Sequence, residues 1–167
     1  GPIWGHPATL DIAMLIMEDT AKLAAHADGP PLYERDAVER TRRQLRRHPG
    51  YGQRQVIGPF TVELFDAGHI LGSSHVRVSW HDGGERAILF SGDIGVTGSP
   101  IIRDPTAIWD PALAVDWVVT ESTYGNRDHK SMEATQDELV EAINDTIERK
   151  GGNVIIPAFA VGRTQDI

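Results

Sequence analysis

The sequence predicts an α/β fold in which a small sheet presents metal-ligand side chains from loops at one of its ends. Strand-like and helix-like stretches alternate along the chain, which gives the class. A β-hairpin is legible around residues 74–90, where Val76, Val78 and Trp80 alternate with polar residues, His81-Asp82-Gly83-Gly84 makes the turn and Ala87-Ile88-Leu89-Phe90 returns. The residues with chemistry to offer all follow strand ends, where loops on a rigid sheet carry function.

Taken in order, Ile3-Trp4-Gly5-His6 is a short strand end, and a helix starts near Thr9 with that residue as its N-cap and Asp11 in its first turn. This helix is apolar on most sides until Glu18, so deep packing is expected, and Asp28-Gly29-Pro30-Pro31 closes it. A second helix is expected over Arg35 to Arg47, with Val38, Thr41 and Leu45 as a thin inner stripe, stopped by Pro49-Gly50 and Gly52. From Gly58-Pro59 a strand alternates Phe60, Val62 and Leu64 with Thr61, Glu63 and Phe65, and it runs into a loop at His69. An irregular stretch rich in Pro and Gly, Thr97 to Leu113, precedes a buried strand at Trp117-Val118-Val119. A helix from Ser131 to Lys150 uses Leu139, Val140, Ile143 and Ile147 as its core face, with Gly151-Gly152 as its stop. A last strand at Val154-Ile155-Ile156 leads to Gly162-Arg163, a turn into a new helix whose start suits a phosphate or serves only as a turn. Ending just as a helix starts, the chain looks cut. Neither an internal repeat nor a low-complexity segment interrupts this order.

Composition narrows the class. With 167 residues, 40% apolar and 24% charged, the chain can bury one core, and the absence of cysteine removes disulfides, cysteine–zinc sites and a thiol nucleophile. The longest apolar run, Ile12 to Met17, is too short to span a bilayer and no charged segment precedes it, so a cytoplasmic, membrane-free protein is the default expectation. A formal net charge of −8 argues against a nonspecific nucleic-acid binder. Within Arg35 to Arg54, however, seven arginines face Asp36 and Glu39, a local balance of +5 that leaves −13 to the rest. A solvated helix face is the plainer account of that run; an edge that steers a polyanion is the other.

The sharpest chemical signal is His69 in DAGHILGS with Asp93 in LFSGDIG, 24 positions apart. Residues just before the first strand of a hairpin and just after its second lie at the same end. An imidazole and a carboxylate there suit a borderline or hard divalent ion such as zinc or manganese, although two ligands alone do not make a site.

The order DAGHILGS, SGDIG, ESTYGNRDH and IPAFAVGRTQ, with GPIWGHPAT before it, resembles the metallo-β-lactamase-fold nucleases of the β-CASP family over essentially the whole chain. That group includes the pre-mRNA cleavage endonuclease and its bacterial and archaeal RNA-cleaving relatives. The resemblance implies two β-sheets flanked by helices in an αββα sandwich, with a second domain inserted late and substrate passing between the two. On that basis residues 1–152 are part of the metallo-β-lactamase domain and residues 153–167 begin the inserted one. The resemblance also implies His69 as a metal ligand, Asp93 as a ligand bridging two divalent ions (zinc, or manganese), and Glu121 as a catalytic acid that pairs with a later histidine at the leaving group. His129 is a candidate phosphate contact or a plain surface residue, and Ser122, Thr123 and Tyr124 line a cleft or pack. His75 and His81 are hairpin residues, structural or exposed.

One departure is large. The HxHxDH signature that supplies most of the family's ligands does not occur here, nor do the later histidines. With the retained motifs intact, truncation is the expected cause, and this segment alone should bind one metal weakly at most and not turn over substrate. For the intact protein the resemblance implies metal-dependent hydrolysis of single-stranded RNA, with a homodimer as a further expectation. A DNA-processing member of the family, a non-catalytic scaffold of an RNA-processing complex, and a small-molecule hydrolase follow in that order.

Overall fold

The computed structural model describes residues 1–26 and 29–167. The chain is mixed α/β and divides into two compact units, Gly1–Glu121 and Ser122–Ile167.

In the first unit, strand β1 (Ile3–Gly5) runs parallel to β2 (Leu45–Arg47), and helices α1 (Pro7–Ala24) and α2 (Arg35–Gln44) connect them. Pro7 occupies the first helical turn, where its missing N–H costs nothing, and His6 rather than Thr9 caps the helix, its Nδ1 accepting from the Ala8 N–H at 3.3 Å. Asp28 of the expected stop lies outside the described residues. Deep packing of α1 is not found. Leu10, Met14 and Ala21 are buried, but Leu15 and Leu23 are each 63% exposed, because α2 covers a single stripe through Val38. The second helix ends at Gln44, three residues earlier than expected, since Leu45–Arg47 turns extended to pair with β1.

The second sheet has the order β3-β4-β5-β6-β7, from β3 (Arg54–Ile57), β4 (Phe60–Asp66), β5 (Ser74–His81), β6 (Glu85–Phe90) and β7 (Trp117–Val119). The first four strands form an antiparallel meander, and β7 joins β6 in parallel. β3 is an addition to the sequence reading. It folds back on β4 over Gly58, whose φ of 61° suits the primed turns that follow the twist of paired strands. His81 pairs with Glu85, so the hairpin turn is Asp82-Gly83-Gly84, closed by the Asp82 N–H on the Gly84 carbonyl at 2.8 Å.

Burial falls on the polar side of this sheet. His75, Arg77 and Ser79 of β5 and Glu63 of β4 are all buried. The irregular stretch expected over Thr97 to Leu113 is the reason. Trp109 packs edge-on against Phe65 at 4.9 Å and beside His75, and the Ala114 carbonyl accepts from the Arg77 guanidinium at 3.0 Å. Arg77 also bonds Glu63 at 2.6 Å and Glu85 at 3.0 Å, so the buried charge is fully paired. The opposite face carries Phe60, Val78, Trp80 and Trp117, with the two indoles stacked at 6.0 Å, and it is only half covered. β7 is therefore not the buried strand expected; it is an edge, paired on one side only, with Trp117, Val118 and Val119 each at least half exposed.

In the second unit, α3 (Met132–Asn144) starts at Ser131, whose Oγ accepts from the Ala134 N–H, and passes into a π-helical turn, Asp145–Arg149, before Gly151. The expected core face is not buried: Val140 and Ile147 are more than half exposed, and no residue of the helix is buried. Residues 154–156 form no strand, since no neighbouring strand among the described residues offers a ladder. A short α4 (Arg163–Asp166) follows Gly162.

Candidate metal-ligand loops at the sheet end

Register places three loops together. Asp66 at the end of β4 is opposite Ser74 at the start of β5, Val76 is opposite Phe90 at the end of β6, and Phe90 is opposite Val119 at the end of β7. The loops bearing His69, Asp93 and Glu121 thus leave the same end of the sheet.

The His69 loop is fixed by groups the sequence reading did not single out. Asp66 accepts from the Gly68 N–H at 2.9 Å, an Asx-type turn signalled by the Asp-Ala-Gly order. Ser73 Oγ accepts from the backbone N–H groups of His69 (3.0 Å) and Ile70 (3.3 Å). Two outside anchors hold the loop from below: the Thr9 hydroxyl donates to the Gly72 carbonyl at 2.5 Å, and the Tyr51 hydroxyl donates to the Ser73 carbonyl at 2.8 Å. Thr9, expected as a helix cap, is instead this tie. Burial, followed by the nearby Asp66 carboxylate, pushes the Tyr51 phenol above its ordinary pKa, so it stays a donor at neutral pH.

The Asp93 loop lies directly on the His69 loop. The Gly95 N–H donates to the Ala67 carbonyl at 2.8 Å, and a Cβ on Gly95 would overlap the Gly68 carbonyl. Only glycine permits that approach. Ser91 joins the neighbouring pieces: its Oγ accepts from the Glu121 N–H at 3.0 Å, and its carbonyl bonds the buried His75 Nδ1 at 2.6 Å. A serine directly before the Gly-Asp pair was the available signal, and it was missed. His75 is structural, one of the two roles expected.

Glu121 does not stand free. Its Oε1 accepts from the Ile94 N–H at 2.6 Å, the residue after Asp93, so the carboxylate holds the loop that presents Asp93. The His69 and Asp93 side chains, by contrast, are exposed and have no polar partner among the described residues. Both acidic groups of the irregular stretch, and Asp116 just beyond it, are spent on backbone N–H groups: Asp104 on Gly98, Asp110 on Ala112, Asp116 on Ala87. A free imidazole and a free carboxylate, on loops pinned to each other, are donors of the right kind for a divalent ion. They are two, and among the described residues no group of three or more His, Cys, Asp or Glu side chains could hold an ion. The donor set therefore fits as part of a metal site, not as a whole one.

Within the second unit, Arg127 lies over the Tyr124 ring at 5.5 Å and His129 meets it edge-on at 5.1 Å. At the Gly162-Arg163 turn, the Gly162 N–H is taken by Gln165 Oε1 at 2.7 Å, which makes the structural turn the better of its two readings. His48 is buried and bonded to Val62 and Gly50, and His81 is exposed.

The chain as a whole is similar to known proteins. The chain is 33% identical over 167 residues to Ribonuclease TTHA0252 of Thermus thermophilus, which matches all of this chain and 36% of that protein. It is 36% identical over 179 residues to Transcription termination factor FttA of Thermococcus kodakarensis, matching 100% of this chain and 25% of that one. It is 33% identical over 165 residues to RNase aCSPSF2 of Saccharolobus solfataricus, across 99% of this chain and 32% of that protein. These relatives are ribonucleases and a termination factor of the β-CASP family, and the chain aligns with them over essentially its whole length. It spans about a third or less of the length of these β-CASP relatives. No protein-family profile matches it. No helix among the described residues is long and apolar enough to cross a membrane.

Proposed function

We propose that this chain is the part of a metallo-β-lactamase-type nuclease that presents the second half of a metal-ligand set, and that the intact protein hydrolyses phosphodiester bonds in RNA. The observation that carries the reading is the pair of free donors, His69 and Asp93, on mutually pinned loops at one sheet end. The ribonuclease names of the relatives support RNA as the substrate class. In the intact protein His69 and Asp93 would be ligands of the divalent ions, zinc or manganese by donor chemistry. Bound there, such ions supply Lewis acidity to the phosphoryl oxygens and activate water as a nucleophile.

The chain's own residues do the rest. The Gly95–Ala67 bond and the Ser73 hydroxyl fix the spacing of the two ligand loops before substrate arrives, which is where preorganisation lowers a barrier. Glu121 keeps the Asp93 loop in place through the Ile94 N–H, and its carboxylate is the group that would take part in proton delivery to the leaving oxygen. Residues 153–167 would lead into the inserted β-CASP domain.

The test offers labelled single-stranded RNA and DNA of one sequence to the full-length protein with zinc or manganese, with Asp93→Ala as the control. Metal-dependent cutting of RNA that the variant loses is the expected result. Cutting of DNA alone would replace this reading with a DNA-processing one, and a correctly folded protein that cuts neither would leave a scaffold role.

A further inference from the structure

The arginine-rich run of α2 and β2 sorts into two sets once its partners are known. Arg42 pairs with Glu18 and Glu39, and Arg47 pairs with Asp11 at 2.6 Å, so two of the arginines join α2 and β2 to α1. Arg40, Arg43 and Arg46, like Arg35 at the start of α2, are exposed and have no acidic partner among the described residues; Arg35 lies five residues before Arg40, outside the spacing the other three share. Asp36, one turn before Arg40 and correctly spaced to neutralise it, makes no ion pair with it.

These three follow at three-residue steps, so Arg40 and Arg43 are neighbours on one helix face. Arg46 continues the row past the helix end, its Nη1 donating to the carbonyls of Arg43 (2.9 Å) and Leu45 (2.8 Å). That anchorage fixes the guanidinium and leaves its Nε and Nη2 N–H groups without a bond among the described residues. Two uncompensated like charges at i and i+3 disfavour the helix that carries them, and a third follows just past its end, in a chain with acid to spare: 24 Asp and Glu against 16 Lys and Arg. A solvated face would not need acids withheld from three arginines while two beside them are paired. Guanidinium forks spaced along a surface match the repeat of phosphates on a nucleic-acid backbone, which they can bond in bidentate fashion.

We propose that Arg40, Arg43 and Arg46 form a docking strip for the sugar-phosphate backbone of single-stranded RNA, which holds the strand outside the metal-ligand loops. This rests on the RNA reading above for its choice of polyanion. The strip contacts phosphates only, so it holds RNA without regard to sequence.

The test measures binding of labelled single-stranded RNA to the full-length protein, with chelator present so that nothing is cut, as a function of salt. Three lost phosphate contacts reduce the slope of log K against log salt by about 2, which at 50 mM salt weakens binding about 400-fold and converges with wild type near 1 M. The triple variant Arg40→Gln/Arg43→Gln/Arg46→Gln should show that change, the matching triple Lys variant should keep the wild-type slope, and Arg42→Gln/Arg47→Gln should alter it little. A wild-type slope in the triple Gln variant overturns the strip, as does an equal loss from the paired arginines. Cleavage measured in parallel separates the two readings: RNA cutting with an unchanged slope defeats the strip alone, whereas no RNA cutting by wild type defeats the ribonuclease reading.

Discussion

Gly95 is the position at which the candidate site is most exposed to a one-atom change. Its φ lies outside the left-handed region, so alanine meets no backbone penalty and the effect of Gly95→Ala is purely steric. The new Cβ would overlap the Gly68 carbonyl and lie 2.6 Å from the His69 backbone nitrogen, where ordinary contact begins near 3.4 Å. With the Gly68 carbonyl oxygen well inside contact distance of the new Cβ, the Asp93 loop must therefore withdraw from the His69 loop by more than about 1 Å. Overpacking of this kind costs about 1–3 kcal/mol, and a stretched Gly95–Ala67 hydrogen bond adds about 1 kcal/mol. Because both loops are at the surface they yield in part, so the stability loss falls near the low end, about 2 kcal/mol. The activity loss is larger, since a misplacement of about 1 Å costs on the order of 100-fold in rate. Gly84→Ala, in open space and also without a positive φ, is the matched control. Urea denaturation and initial cleavage rates on full-length protein measure both quantities. Wild-type stability together with wild-type turnover in Gly95→Ala would refute the idea that this crossing sets the spacing of the two ligands.

Other substitutions test the supports. Glu121→Gln keeps an oxygen for the Ile94 N–H, so it should leave the melting temperature near wild type and lower turnover, while Glu121→Ala should also lose about 1 kcal/mol of stability; unchanged turnover in both would remove Glu121 from the catalytic machinery. Arg77→Met leaves the buried Glu63 carboxylate only its 3.2 Å pair with the exposed Arg54 and should destabilise by about 3 kcal/mol, and the double change Glu63→Gln/Arg77→Met should recover most of that in urea titrations. Burial first, and the neighbouring His48, hold the His6 imidazole below its ordinary pKa of 6.5 against the pull of Asp66. The unfolded chain therefore binds the extra proton first. The stability His6 contributes is complete above pH 6.5 and is lost as pH falls from there through the lower folded value. His6→Asn, which keeps a cap acceptor, should flatten that part of the pH–stability curve.

The antiparallel hairpin, the strand into the His69 loop and the irregular stretch were legible because alternation and turn residues are local signals. What escaped depended on distant partners. Arg46 continues a helical pattern, yet Leu45–Arg47 is strand because β1, some 40 residues earlier in the chain, offers a parallel edge. Trp117-Val118-Val119 has the composition of a buried strand, but burial requires a second neighbour, and β7 has one. The same holds for Val154-Ile155-Ile156, which has none among the described residues. On β5 the apolar alternation was visible, but the side it faced was not, because Trp109 and Ala114 cover the polar side instead. At the site, the ligand types at His69 and Asp93 stood out by chemistry and spacing. Their supports, Ser73, Ser91 and Thr9, are ordinary residues whose importance lies only in which backbone groups they meet.

The attachment of β7 has a consequence for the order in which this unit assembles. β3 to β6 zip up through short turns, whereas β7 must wait for the loop of residues 91–116 to close before its parallel ladder gains anything. A strand of three residues added late at an edge is also the first to let go when the fold breathes. Glu121 sits just beyond it, with its side chain on the Ile94 N–H. Opening of that one edge would withdraw the carboxylate from the Ile94 N–H in a single motion, leaving the meander intact and the Asp93 loop held by the Gly95–Ala67 bond. The least protected strand of the sheet thus carries one of the groups the chemistry would ask most of, and hydrogen exchange at Val118 and Val119 reports how often that group is in place.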